Sequence, residues 1–140
     1  MNNSESRELT LEATVENLSA VNAFIDDFLD AVGCPGRSHM QLSLVIEEIF
    51  VNVASYAYAP NTGKVTVKIA ITREPLSAKI SFSDSGKPYN PLEAKEPDID
   101  APIEERNIGG LGIFLVKKNV DEVNYEFADG KNIFTIFKKL

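Results

Sequence analysis

Apolar and polar positions follow two distinct periods along the chain, and the switches between them mark out the elements. Leu9, Leu11, Ala13 and Val15 alternate with Thr10, Glu12 and Thr14, and a period of two belongs to a strand with one face buried. From Leu18 onward Val21, Phe24, Ile25, Phe28, Leu29 and Val32 recur at intervals of three and four, which predicts an amphipathic helix. Gly33 and Pro35 supply its stop signal. Ser38 is placed to cap a second helix, which runs to about Tyr58 before Pro60, Asn61 and Gly63 turn the chain.

The period of two then returns. Val65, Val67, Ile69 and Ile71 alternate with Thr66, Lys68, Ala70 and Thr72, and Ile80 and Phe82 resume the alternation after Glu74-Pro75. That pairing predicts an antiparallel hairpin. From Asp84 to Ile108 the periodicity is lost among four prolines and many acids. A connection this long inside a compact domain is usually functional, and residues 87–112 read as a lid. Beyond Gly112 a short helix, Ile113 to about Asn119, precedes two closing strands, Val123 to Phe127 and Ile133 to Phe137, joined at Asp129-Gly130. Strands with segregated helices predict an α+β two-layer sandwich, a mixed and mostly antiparallel sheet covered by helices on one face. At 140 residues, 1–140 form a single domain able to bury its own core.

Charge narrows the range of functions. A net charge of -7 and a pI near 4.7 repel a phosphate backbone, because nucleic-acid affinity comes largely from Lys and Arg that displace counterions. Direct nucleic-acid binding is therefore not expected, and an acidic chain that binds a nucleotide must use local donors and a metal. The longest apolar run, around Leu42 to Val53, is broken by Glu47, Glu48 and Asn52, so no membrane span is expected. One cysteine, Cys34, and an N-terminus without basic and apolar signal regions fit a cytoplasmic protein.

Three places carry candidate chemistry. On the second helix, Gln41, Glu48, Asn52 and Ser55 fall within roughly 60° of one another at about 100° per residue, and Leu44, Val45, Ile49, Val51 and Val53 border them. Glu47 points roughly 100° away from Glu48. A carboxylate and an amide oxygen one turn apart can orient a nucleophile and hold a hard cation; taken alone, such a pair is more often a solvated or mutually hydrogen-bonded one on an amphipathic helix. Asp84-Ser85-Gly86 ends a strand. An aspartate there can accept a hydrogen bond from an exocyclic amine, and the glycine lets a flat ring approach the backbone. Taken alone, such a tripeptide is more often a plain turn. Gly109-Gly110-Leu111-Gly112 opens a helix, where exposed N–H groups and the helix dipole favour phosphate, although a flexible hinge has the same composition and the Lys-Ser/Thr ending of a P-loop is missing.

In this order and spacing, the three resemble the N, G1 and G2 boxes of the gyrase, histidine-kinase and MutL ATPase superfamily, which share the Bergerat ATP-binding fold. Within it the chain resembles the anti-sigma-factor serine kinases over nearly its whole length. Leu44 to Tyr58, Ile80 to Pro91 and Gly109 to Val116 carry the likeness. The resemblance implies Glu48 as general base, Asn52 as the Mg2+ ligand, Asp84 as adenine acceptor and Gly86 as the floor of the base pocket. Gly109, Gly110, Leu111 and Gly112 would cradle the phosphates of ATP, and Arg106 would reach the terminal one. It also implies a cytoplasmic serine/threonine kinase that phosphorylates an anti-anti-sigma partner of the STAS type and sequesters a sigma factor, and that forms a homodimer. Tyr56 stands where the family usually has histidine, Ala57 where it often has glycine, and Ile108 where some relatives have a charged residue. The Tyr56 substitution motivates the alternative of a nucleotide-dependent partner-switching module with little kinase activity. A detached histidine-kinase ATPase domain fits less well, since no helical hairpin with a phosphoacceptor histidine precedes the fold.

His39 lacks a second His or Cys placed for metal ligation and is assigned a surface or capping role. Cys34, in a Gly-Cys-Pro-Gly turn, is expected to be inert. The acids Glu93, Glu96, Asp98, Asp100, Glu104 and Glu105 read as a solvated run able to steer a basic partner.

Overall fold

The computed structural model describes residues 4–58, 61–93 and 108–140. In chain order the elements are β1 (Ser4–Glu12), α1 (Leu18–Ala31), α2 (Gly36–Tyr56), β2 (Lys64–Thr72), β3 (Ser77–Asp84), α3 (Ile108–Asn119), β4 (Glu122–Ala128) and β5 (Lys131–Lys139). The strands form one sheet in the order β1-β2-β3-β5-β4, antiparallel at every pairing.

The period of two in the strands becomes a division between faces. Val65, Val67, Ile69 and Ile71 of β2, Ala78, Ile80 and Phe82 of β3, and Phe134 and Ile136 of β5 are all buried. They form one core with Val21, Ile25, Phe28 and Leu29 of α1, with Leu42, Val45, Ile46, Ile49, Phe50 and Val53 of α2, and with Ile113 and Val116 of α3. The alternate residues, such as Thr66, Lys68, Lys79, Ser81 and Thr135, stand on the opposite face. The expected two-layer sandwich is the fold, with the described helices α1, α2 and α3 on one side of the sheet.

Three boundaries differ from the sequence reading. The first strand spans Ser4–Glu12 rather than Leu9 to Val15, because its ladder with β2 runs from Ser4 opposite Thr72 to Glu12 opposite Lys64. Val15 falls in a short 3-10 turn and is exposed. The second helix starts at Gly36, with Pro35 in the capping position and Ser38 inside the first turn. The left-handed backbone of Gly33 (φ 75°) aims the chain there, and the N–H of His39 donates to the Pro35 carbonyl at 2.9 Å.

The third difference bears on function. The last helix begins at Ile108 rather than Ile113, so Gly109, Gly110 and Gly112 lie inside α3. Glycine weakens a helix by about 1 kcal/mol per residue but does not forbid it, and α3 packs along α2 with Ile113 and Val116 in the core. Tertiary packing overrides local propensity here. The closing turn follows expectation: Asp129 and Gly130 both take positive φ, 55° and 76°, as a two-residue hairpin requires. Of the 87–112 segment, residues 94–107 lie outside the described residues, and so does the Arg106 assignment. Among the described residues no helix is long and apolar enough to cross a membrane.

Candidate nucleotide site

Helix α2 buries one side against the sheet and turns Glu48, Asn52 and Ser55 of its polar stripe toward α3. A cavity of about 180 Å3 opens between the two helices, lined by Glu48, Asn52, Ser55, Tyr56, Gly112 and Ile113. The expected pair on α2 thus faces the glycine-bearing turn of α3. Contact there is close, since a Cβ placed on Gly112 would stand 2.8 Å from Glu48 Oε2. Glu47, by contrast, is exposed. The first turn of α3 contains the backbone N–H groups that have no intrahelical acceptor, and these donors with the helix dipole suit an anion. Gly109, Gly110 and Leu111 belong to that turn.

Asn52 also lines a second cavity of about 40 Å3, whose walls include Asp84, Phe82, Tyr89, Tyr125 and Asn132. One amide therefore stands between a chamber bearing the Glu48 carboxylate and a more apolar one that ends on Asp84. A triphosphate with its sugar and base presents the same sequence of chemistries. Asp84 is buried at the end of β3, and its Oδ1 accepts from the N–H of Gly86 at 2.9 Å. Gly86 lies where β3 meets the end of α2: a Cβ there would run into the backbone carbonyl of Ala57, to which Lys87 N–H donates at 3.1 Å. Glycine is required at this position by close backbone approach.

Two contributors escaped the sequence reading. Tyr58 holds the rim: its hydroxyl donates to the Lys64 carbonyl at 2.5 Å and accepts from Ser85 N–H at 2.8 Å. It thereby joins the end of α2 to the start of β2 and the end of β3. Asn132 is buried directly opposite Asp84 in the β3–β5 ladder, and its Nδ2 donates to Asp84 Oδ1 at 3.0 Å. The available signal was a polar residue at an inward position, two places before Phe134 and four before Ile136. Its partner Asp84 lies 48 residues away in sequence, beyond the reach of local pattern.

His39 is partly exposed at the surface, where it pairs with carboxylates of α1. It bridges α1 and α2, with Nε2 2.7 Å from Asp26 Oδ1 and Nδ1 3.6 Å from Asp30 Oδ1. The Cys34 thiol is pushed above its ordinary pKa, first by burial and then by the Asp30 carboxylate, with Lys138 partly opposing, which favours the unreactive thiol. Among the described residues no three His, Cys, Asp or Glu side chains cluster to hold a metal. Tyr56, which also lines the first cavity, is 53% exposed.

Residues 11–138 match the model of the histidine kinase-like ATPase domain, and the chain belongs to that family. Among curated relatives, it is 26% identical over 136 residues to the serine/threonine-protein kinase BtrW of Bordetella bronchiseptica, spanning 94% of this chain and 93% of that protein. It is 21% identical over 133 residues to the serine-protein kinase RsbW of Bacillus mycoides, spanning 92% of this chain and 82% of that one. A solved structure of the RsbU and RsbW domains of Rv1364c from Mycobacterium tuberculosis superimposes with a TM-score of 0.70 at 18% identity. It covers 97% of this chain and 32% of that longer one, and at this identity the likeness concerns the fold.

Proposed function

We propose that the chain is an ATP-dependent anti-sigma serine kinase, which transfers the terminal phosphoryl group of ATP to a serine of a small anti-anti-sigma partner and sequesters a sigma factor. The observation that carries the reading is the shared position of Asn52 between the chamber of Glu48 and Gly112 and the chamber of Asp84. The names of the relatives support it.

In this reading Asp84 accepts the exocyclic amine of adenine, and the first turn of α3 receives the phosphates. The Asn52 amide oxygen fits Mg2+, which is commonly held by one or two protein oxygens together with substrate phosphates rather than by an all-protein cage; bound there, the ion would neutralise charge developing on the phosphates. Glu48 accepts the proton of the serine hydroxyl as its oxygen bonds to the terminal phosphorus. The bond from that phosphorus to the bridging oxygen breaks, and ADP leaves with the electron pair.

Incubation with labelled ATP and a candidate partner tests the proposal. Label should appear on a partner serine, Glu48→Gln should lower the rate by about 10²–10⁴ while ATP still binds, and Asn52→Ala should abolish metal-dependent binding. Transfer by Asn52→Ala at the unaltered rate would remove the metal assignment. Exposed Tyr56 in the histidine position favours a second reading, a module that switches partners with nucleotide and transfers little; tight ATP binding without label on any cognate partner would select it.

A further inference from the structure

Asp84 has two carboxylate oxygens, and the fold engages them unequally. Oδ1 accepts from Gly86 N–H at 2.9 Å and from Asn132 Nδ2 at 3.0 Å. Among the described residues no protein group donates to Oδ2. A carboxylate with one oxygen accepting two hydrogen bonds cannot turn freely about its terminal torsion, so a single acceptor is presented in a fixed direction.

Asn132 is itself fixed from both ends. Its Oδ1 accepts from Tyr89 N–H at 3.1 Å and from the Tyr125 hydroxyl. Its Nδ2 donates to Asp84 and to the Lys87 carbonyl at 2.9 Å, with the Gly86 carbonyl farther at 3.4 Å. Donors meet the oxygen and acceptors meet the nitrogen, which leaves one orientation of the amide. The same side chain therefore ties Asp84 to the backbone between Gly86 and Tyr89, just beyond the end of β3. Tyr89 and Asp84 line the same small cavity.

We propose that Asn132, oriented by Tyr125, is a positioning residue for adenine selection. It holds Asp84 so that Oδ2 alone faces the exocyclic amine, and it couples that acceptor to the backbone at Lys87 and Tyr89. The proposal rests on the reading of Asp84 as the base acceptor. It assigns selectivity to β4 and β5, which contribute none of the residues named by the sequence motifs.

The test compares ATP with purine riboside triphosphate, which lacks the exocyclic amine, in calorimetric titrations of the full chain and of Asn132→Ala and Tyr125→Phe. Hydrogen exchange of the Gly86 and Tyr89 amides is followed without nucleotide. The unaltered chain should prefer ATP. Asn132→Ala should reduce that preference about tenfold, as the loss of a hydrogen bond to a charged group implies, and Tyr125→Phe about threefold. Both variants should exchange faster at Tyr89. Tyr125→Phe keeps the ring in place, so it carries the test if Asn132→Ala unfolds. Equal losses for both nucleotides, or unchanged exchange at Tyr89, would make Asn132 a purely structural residue and overturn the proposal while leaving ATP binding intact. Failure of the unaltered chain to discriminate the two nucleotides would overturn the Asp84 reading and the proposal with it.

Discussion

At Gly112 the needs of the helix and of the site conflict. Alanine is the better helix former by about 1 kcal/mol, but its Cβ would stand 2.8 Å from Glu48 Oε2 and push the carboxylate aside. Gly112→Ala should therefore melt at the same or a higher temperature and yet transfer phosphoryl at least about tenfold more slowly, because small misplacements of reacting groups are costly. Parallel melting and initial-rate measurements check this, and a variant that is both more stable and fully active contradicts it. Gly86 behaves differently, since the atom in the way is the Ala57 backbone carbonyl, which cannot swing aside like a side chain. Gly86→Ala should lose about 1–3 kcal/mol by overpacking, read as a lower urea midpoint. Cys34 offers a pH-dependent probe. Its pKa is raised by burial and by Asp30, so less thiolate is present at a given pH than in a free thiol. Alkylation at neutral pH should be slower than for the urea-unfolded chain and should quicken as pH rises; equal rates in the folded and unfolded chains would contradict it.

Among the elements, α2 is the one on which the site depends, and its ends matter as much as its stripe. Tyr58, just past its last turn, bonds both Lys64 and Ser85. Tyr58→Phe should cost about 1–2 kcal/mol, since a backbone N–H and a carbonyl lose their partner, and the loss should appear as faster amide exchange at Ser85 than in the unaltered chain. Unchanged exchange there would show that the rim is held by other contacts. The elements also show where local pattern has authority. Periodicity located β2, β3, β4, β5 and α1 to within a few residues because each buries one face. It misplaced the start of α3 because glycines signal a break locally, whereas packing of Ile113 and Val116 against the core extends the helix through them. It shortened the first strand because the outer half of β1, with Glu5, Arg7 and Glu8 exposed, has no apolar rhythm and is ordered by its ladder with β2.

For the molecule as a whole, ligand binding and folding are linked. A ligand that binds only the folded chain adds about 2.7 kcal/mol at a hundredfold excess over its Kd, so Mg-ATP should raise the melting temperature by several degrees. The shift should vanish in Asn52→Ala, and a shift of equal size there would place binding elsewhere. The sequence by itself determined the two-layer class, the side of α2 that carries Glu48 and Asn52, and the succession of three motifs. Each of these depends on spacing within one element or on a strand end, and such spacing is fixed by the covalent chain and its two periods. Only the tertiary structure decided that Gly112 stands against Glu48 and that Asn52 is shared by two chambers. It alone placed Asn132 and Tyr125 behind Asp84 and set His39 between two helices. Those relations join residues distant in sequence through antiparallel register and helix packing, and no local pattern encodes which distant partner a side chain will meet.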